Sequence, residues 1–123
     1  MAGLPLISVV DDDESVRESL QGLIRSVGFA AEVFASAEAF LNSEHLRQTR
    51  CLILDVRMPG MNGLELRRRL AASQSEIPVI FITAHGDETA RSQALRDGAV
   101  DYLFKPFSEE ALLNAIHAAL NSK

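Results

Sequence analysis

At 123 residues the chain has the length of one domain, and it can bury roughly two-thirds of the surface that its unfolded form exposes. Hydrophobic residues make up 47% and charged residues 24%, the balance of an ordinary globular protein. The net charge of -5 lacks the basic footprint that binding to nucleic-acid phosphates requires, so direct contact with DNA or RNA is not expected.

No repeat, low-complexity tract or Pro/Gly/Ser linker interrupts the sequence, so residues 1–123 read as a single domain. No apolar run is long enough to span a bilayer and no signal segment opens the chain. A cytoplasmic, membrane-free setting is therefore expected. The first apolar, β-branched run, Leu6 to Val10, predicts a strand. A helix follows, because Val16, Leu20, Leu23, Ile24 and Val27 fall at i, i+4, i+7, i+8 and i+11 on one face. Ser15-x-x-Glu18 predicts a capping box at its start, and Gly28 its stop. Ala30 to Phe34 predicts a second strand and residues 36–44 a second helix. Cys51 to Leu54 predicts the third strand. The single cysteine there reads as a small buried hydrophobe, and alone it excludes an internal disulfide. A third helix over 62–74, a strand at Val79 to Ile82 and a helix over 87–97 ended by Gly98 come next. Val100 to Phe104 predicts the fifth strand. The last helix, about 108–121, turns Leu112, Leu113, Ile116 and Leu120 inward, with Ser108 as its N-cap and Glu109 and Glu110 suiting its dipole.

Strand–helix alternation repeated five times predicts an α/β fold, a parallel sheet with helices on both faces joined by right-handed crossovers. The unbroken apolar runs suit strands covered on both sides. Periodicity leaves the strand order open, but every doubly wound order places ligands at the carboxyl ends of the strands.

Those ends carry an uneven set of residues. The first strand runs into Asp11, Asp12 and Asp13, and Asp55 follows the third. Thr83 and the small Ala84 follow the fourth, and Lys105-Pro106 follows the fifth. Gathered carboxylates repel, and a hard divalent cation such as Mg²⁺ resolves the conflict while leaving positions for phosphate oxygens. Lys105 adds a compact positive charge and Thr83 a hydroxyl donor. The set suits a carboxylate nucleophile attacking phosphorus. Taken singly, Asp13 reads as a helix N-cap, Asp11 and Asp12 as cap or turn residues as readily as site residues, Thr83 as a strand residue and Lys105 as a solvated lysine. Asp55, ending a buried apolar strand, needs a partner in any reading.

The segments VVDDDESVRESL, LILDVRMPGMNGLEL, PVIFITAHGD and DYLFKPF, in this order and spacing, resemble the receiver (CheY-like) family over essentially the whole chain. DVRMPGMNGLEL and KPF are most similar to the FixJ/NarL-type regulators of two-component systems. The resemblance implies a flavodoxin-like doubly wound five-stranded parallel sheet, order 2-1-3-4-5, with five helices. It implies Asp55 as the phosphoacceptor, served by a partner sensor histidine kinase, in a phosphoacceptor domain that is not an enzyme in the ordinary sense. Mg²⁺ would be held by Asp12, Asp55 and the backbone carbonyl of Arg57, with Asp11 helping partly through water. Thr83, Ala84 and Lys105 would contact the phosphoryl group, and Lys105-Pro106 would be a cis peptide. Pro59, Gly60 and Gly63 would form the tight loop beside the site. Thr83 would couple to Tyr102, whose ring turns inward on phosphorylation; the bland alternative is a half-buried aromatic with a wet hydroxyl. The signalling face would be helix four, strand five and helix five, through which a phosphorylated dimer would form. The chain would be either a stand-alone receiver or the receiver of a longer regulator; the FixJ/NarL likeness favours the second, with transcriptional output through a DNA-binding domain separate from these residues. A thin Ala90/Ala94 stripe predicts that helix four is weakly held.

Some charged residues read otherwise. His45, His85 and His117 lack metal-ligand spacing and read as surface residues, although His85 and Arg57 occupy positions that flank the phosphate in this family. Arg67, Arg68 and Arg69 read as a solvated helical face. The competing reading is a small phosphohydrolase of the haloacid-dehalogenase type, which Asp11-x-Asp13 also resembles. That family does not need a carboxylate at Asp55.

Overall fold

The three central strands of the sheet are almost wholly buried because each presents apolar side chains to both faces, while the two edge strands are half-buried. The computed structural model describes residues 3–121. Residues 1, 2, 122 and 123, included in the single domain read from the sequence, lie outside the described residues. In chain order the elements are β1 (Leu6–Val10), α1 (Glu14–Ser26), β2 (Ala30–Phe34), α2 (Ala37–Leu41), β3 (Thr49–Asp55), α3 (Gly63–Ala72), β4 (Val79–Thr83), α4 (Glu88–Arg96), β5 (Asp101–Phe104) and α5 (Glu109–Asn121). A short 3₁₀ turn at Leu46–Gln48 leads into β3. All pairings are parallel, in the order β2-β1-β3-β4-β5. This is the flavodoxin-like architecture with five α-helices.

Alternation along the strands divides the core in two. Ile7, Val9, Ile53, Ile80 and Ile82 face α1 and α5, where Leu20, Ile24, Leu112 and Ile116 cover them. Val10, Leu52, Leu54 and Phe81 face the other way and pack with Phe40, Leu66, Leu70 and Ala94 from α2, α3 and α4. Where buried hydroxyls enter this apolar frame they are paired. Ser8 Oγ lies 2.7 Å from Thr49 Oγ1, which donates to the His45 carbonyl at 2.9 Å.

Helix ends show where side chains outrank sequence pattern. The capping box expected at Ser15 and Glu18 does not form. Asp13 caps α1 instead, its Oδ1 accepting from the Ser15 and Val16 N–H groups at 2.9 and 3.4 Å, because a carboxylate there reaches the orphan donors first. A capping box does close α3, where Asn62 and Glu65 exchange bonds of 2.9 Å. Ser108 accepts from the Ala111 N–H at 3.0 Å, as expected for an N-cap of α5. Helix α2 is shorter than the expected 36–44, stopping at Leu41 before Asn42 and Ser43, residues that compete for the backbone. Gly28 and Gly98, at φ +97° and +104°, end α1 and α4 in left-handed backbone.

Candidate functional site

Residues from β1, β3, β4 and β5 meet at the carboxyl edge of the sheet. The chain leaves β1 for the outer strand β2 and returns past it to β3, so the crossovers part between β1 and β3. At that point doubly wound sheets take ligands. Asp11 and Asp12 follow β1, Asp55 closes β3, Thr83 closes β4 and Lys105 follows β5. One carboxylate oxygen from each of Asp11, Asp12 and Asp55 lies within 4.8 Å of the others. An all-oxygen donor set of this kind fits a hard divalent cation.

Asp11 is fully buried and the most heavily bonded of the three. Its Oδ2 accepts from Lys105 Nζ at 2.9 Å and its Oδ1 from the Asp13 N–H at 2.9 Å. Its own N–H donates to the Phe34 carbonyl at 3.1 Å. Lys105 also stands 3.7 Å from Asp55 Oδ2, so one ammonium serves two buried carboxylates and is nearer to Asp11. Asp55 is 5% exposed, and its Oδ1 accepts from the Arg57 N–H at 3.2 Å. Burial, followed by the negative charge of Asp11, pushes the Asp55 carboxyl up to about 6, against the opposing pull of Lys105 and the Arg57 N–H. Burial works against the charge on Lys105. The hydrogen bond to Asp11 and the surrounding carboxylates outweigh it and hold the ammonium above its ordinary value. Asp13 belongs to the helix cap, and its bonds to the Ser15 hydroxyl and to the Ser15 and Val16 N–H groups keep its carboxyl below the usual range.

The remaining residues surround this cluster. Thr83 is buried, and its hydroxyl oxygen accepts from the His85 N–H at 3.1 Å; Ala84 is exposed beside it. The Lys105–Pro106 bond is cis. Gly60 is left-handed, with φ +74°. Gly63 is required by proximity, because a Cβ there would lie 2.3 Å from the Asp55 carbonyl oxygen. Helix α3 therefore starts directly against the backbone of the β3 end. Tyr102 is turned inward, with its ring centroid 5.8 Å from those of both Phe81 and Phe104. That is neither the half-buried alternative nor an outward ring awaiting rotation. Burial, with the nearby charge of Asp87, raises its phenol.

Three charged side chains tie the surrounding loops in place, and the sequence marked none of them as an anchor. Arg17 Nη1 donates to the Asp11 carbonyl at 2.9 Å. Glu38 Oε2 accepts from the Met61 N–H at 3.2 Å, linking α2 to the loop after β3. Arg67 Nη2 donates to the Asp97 carbonyl at 2.9 Å, so it pins the end of α4 and is not merely part of a solvated face. Each lies on a polar helical stripe, where a bonded charge and a solvated one have the same sequence pattern. Helix α4 fully buries only Ala94, with Ala90 packed partly against the core, and is tied by polar contacts such as Arg91 Nε to the Tyr102 carbonyl at 3.3 Å. The histidines stay apart: His45 precedes the 3₁₀ turn, and His117 lies edge-on to Phe29 at 5.9 Å.

The family model described as response regulator receiver domain matches residues 7–117. The chain is 50% identical over 115 residues to the response regulator protein TodT of Pseudomonas putida, covering 94% of this chain and 51% of that protein. It is 42% identical over 114 residues to the transcriptional regulatory protein FixJ of Bradyrhizobium diazoefficiens, covering 93% and 56%. The chain thus spans about half the length of the curated relatives it matches. Among solved structures, the response regulator StyR superposes with a TM-score of 0.88 at 50% identity, over 96% of this chain and 60% of that one. FixJ-N superposes with a TM-score of 0.85 at 39% identity, over 100% and 98%. Residue pattern, sheet order and relatives agree, against the phosphohydrolase alternative: the chain belongs to the response regulator receiver domain family of two-component systems.

Proposed function

We propose that Asp55 accepts a phosphoryl group from a sensor histidine kinase and that the modification alters the α4–β5–α5 face. The observation that carries this reading is the convergence of Asp11, Asp12, Asp55 and Lys105 from three separate strand ends. In the reaction an ionised Asp55 oxygen bonds to phosphorus as the bond from phosphorus to the donor imidazole nitrogen breaks, the electron pair leaving with the nitrogen. Asp11, Asp12, Asp55 and the backbone carbonyl of Arg57 would hold Mg²⁺, which when bound neutralises charge on the transferring group. Lys105 supplies a further positive charge. The Thr83 hydroxyl and the backbone at Ala84 receive the phosphoryl oxygens.

The switch draws the Thr83 hydroxyl toward the phosphoryl group and holds Tyr102 in its inward position. Helix α4, held by the two small side chains of Ala90 and Ala94 and a few polar contacts, is the element free to move. Residues 1–123 act as one receiver unit, dimerise through the α4–β5–α5 face when phosphorylated, and regulate transcription through a DNA-binding domain outside these residues. The acidic net charge of -5 supports the absence of nucleic-acid contact by this chain itself. Among the described residues no helix is long and apolar enough to cross a membrane, and we place the protein in the cytoplasm. Slow loss of the phosphoryl group completes the cycle.

The test is incubation with acetyl phosphate and Mg²⁺ followed by mass mapping of the modified residue. One label per chain, at Asp55 and absent from Asp55→Asn, is expected. Stoichiometric labelling of that variant at another carboxylate overturns the assignment.

A further inference from the structure

Asp12 is the one exposed member of the acidic cluster, and among the described residues its carboxylate has no hydrogen-bond or ion-pair partner. Asp11 is locked by Lys105 and the Asp13 N–H, and Asp55 by its strand and the Arg57 N–H. The direction of the Asp12 side chain is instead set by the backbone that enters it, the peptide between Asp11 and Asp12. The carbonyl of that peptide is the acceptor of the 2.9 Å bond from Arg17 Nη1. Arg17 is well placed to hold it. It sits in the first turn of α1, its N–H bonded to the Asp13 carbonyl at 3.1 Å, and α1 is seated in the core by Leu20 and Ile24. A guanidinium–carbonyl bond is charge-assisted, and a half-buried setting strengthens it.

We propose that Arg17 is a positioning residue for cation binding: it fixes the Asp11–Asp12 peptide so that the Asp12 carboxylate stays in the cluster. The proposal rests on the reading of that cluster as a Mg²⁺ site. Its physical signature is a sign. A guanidinium on the backbone of a cluster residue adds positive charge next to a site for a dication, so by Coulomb's law alone its removal tightens cation binding. Removal weakens binding only if orientation outweighs charge. Residues that orient metal ligands without touching the ion are commonly worth about tenfold or more in affinity.

Magnesium chloride is titrated calorimetrically into the full chain, wild type, Arg17→Met and Arg17→Lys, with circular dichroism of each in EDTA. Methionine keeps the apolar stem but removes donor and charge; lysine keeps both charge and one donor group. The expected result is about tenfold weaker Mg²⁺ binding in Arg17→Met, substantial recovery in Arg17→Lys, and unchanged helical signal in all three. Equal or tighter binding in Arg17→Met overturns the proposal, since charge then dominates. Weaker binding with lost helical signal and no recovery by lysine also overturns it, as a purely structural role. A wild type that binds no Mg²⁺ refutes the metal site itself, and the role of Arg17 falls with it.

Discussion

Asp55→Asn tests the electrostatics of the site without any phosphodonor. The folded protein holds the Asp55 proton up to about 6, against an ordinary value of 3.8. The unfolded chain releases it near that ordinary value, about 4. Ionising Asp55 therefore costs the folded state stability. The cost is absent below about pH 4, grows between about 4 and 6, and is complete above that. At about 1.4 kcal/mol for each pH unit, the rise corresponds to about 2–3 kcal/mol. That figure is an upper bound, because the carboxylate lies at the mouth of the site and shares its charge interactions with Asp11 and Lys105. Asparagine keeps the shape and removes the charge, leaving Lys105 to its closer partner Asp11, 2.9 Å away. In EDTA at about pH 7.5 the variant should be more stable than wild type by up to about 2–3 kcal/mol. For a chain of this length that is a rise in Tm of as much as about 8–12 °C. Urea unfolding followed by circular dichroism from about pH 4 to 8 measures the gap, which should open as pH rises. A variant no more stable than wild type at neutral pH, or a gap independent of pH, would falsify the account of Asp55 as a buried carboxylate that Lys105 and the Arg57 N–H only partly compensate.

Lys105→Ala should stay folded but lift the Asp55 carboxyl further above about 6, since the ammonium is the nearest charge opposing that rise. Carbon-detected NMR titration reads it, and an unmoved titration point shows that Lys105 does not govern Asp55; phosphorylation-linked change should be lost in the same variant. Gly63→Ala places a methyl 2.3 Å from the Asp55 carbonyl oxygen. It should cost about 1–3 kcal/mol of stability in urea and slow acetyl phosphate labelling, whereas wild-type behaviour in both refutes the close packing of α3 on β3. Gln74 holds φ +65° between α3 and β4. A left-handed backbone costs a non-glycine residue about 1–2 kcal/mol, and glycine returns about 0.5–1 of this as added chain entropy. Gln74→Gly should therefore gain about 0.5–1 kcal/mol in urea unfolding, and a loss of stability counts against the strain.

The sequence by itself carried the architecture, because the alternation of apolar runs such as Val79 to Ile82 with striped helices such as that bearing Leu20 and Ile24 leaves little but a covered parallel sheet. It also named the residues that meet at the sheet edge, since Asp11, Asp12, Asp55, Thr83 and Lys105 all stand at strand ends. Strand order is a non-local property, invisible to periodicity and reached only through family resemblance. Whether a given charge is bonded or solvated was decided by the tertiary structure. Asp13 and not Ser15 caps α1, Lys105 is nearer Asp11 than Asp55, Arg17 folds back on the Asp11 carbonyl, and Glu38 and Arg67 reach backbone groups of distant loops. The inward seat of Tyr102 likewise depends on Phe81 of the neighbouring strand β4, as well as on Phe104 of its own strand. Hydrophobic pattern is a local record of which way a residue faces. Hydrogen-bond partners are set by distances between segments far apart in the chain, and those exist only once the sheet has closed.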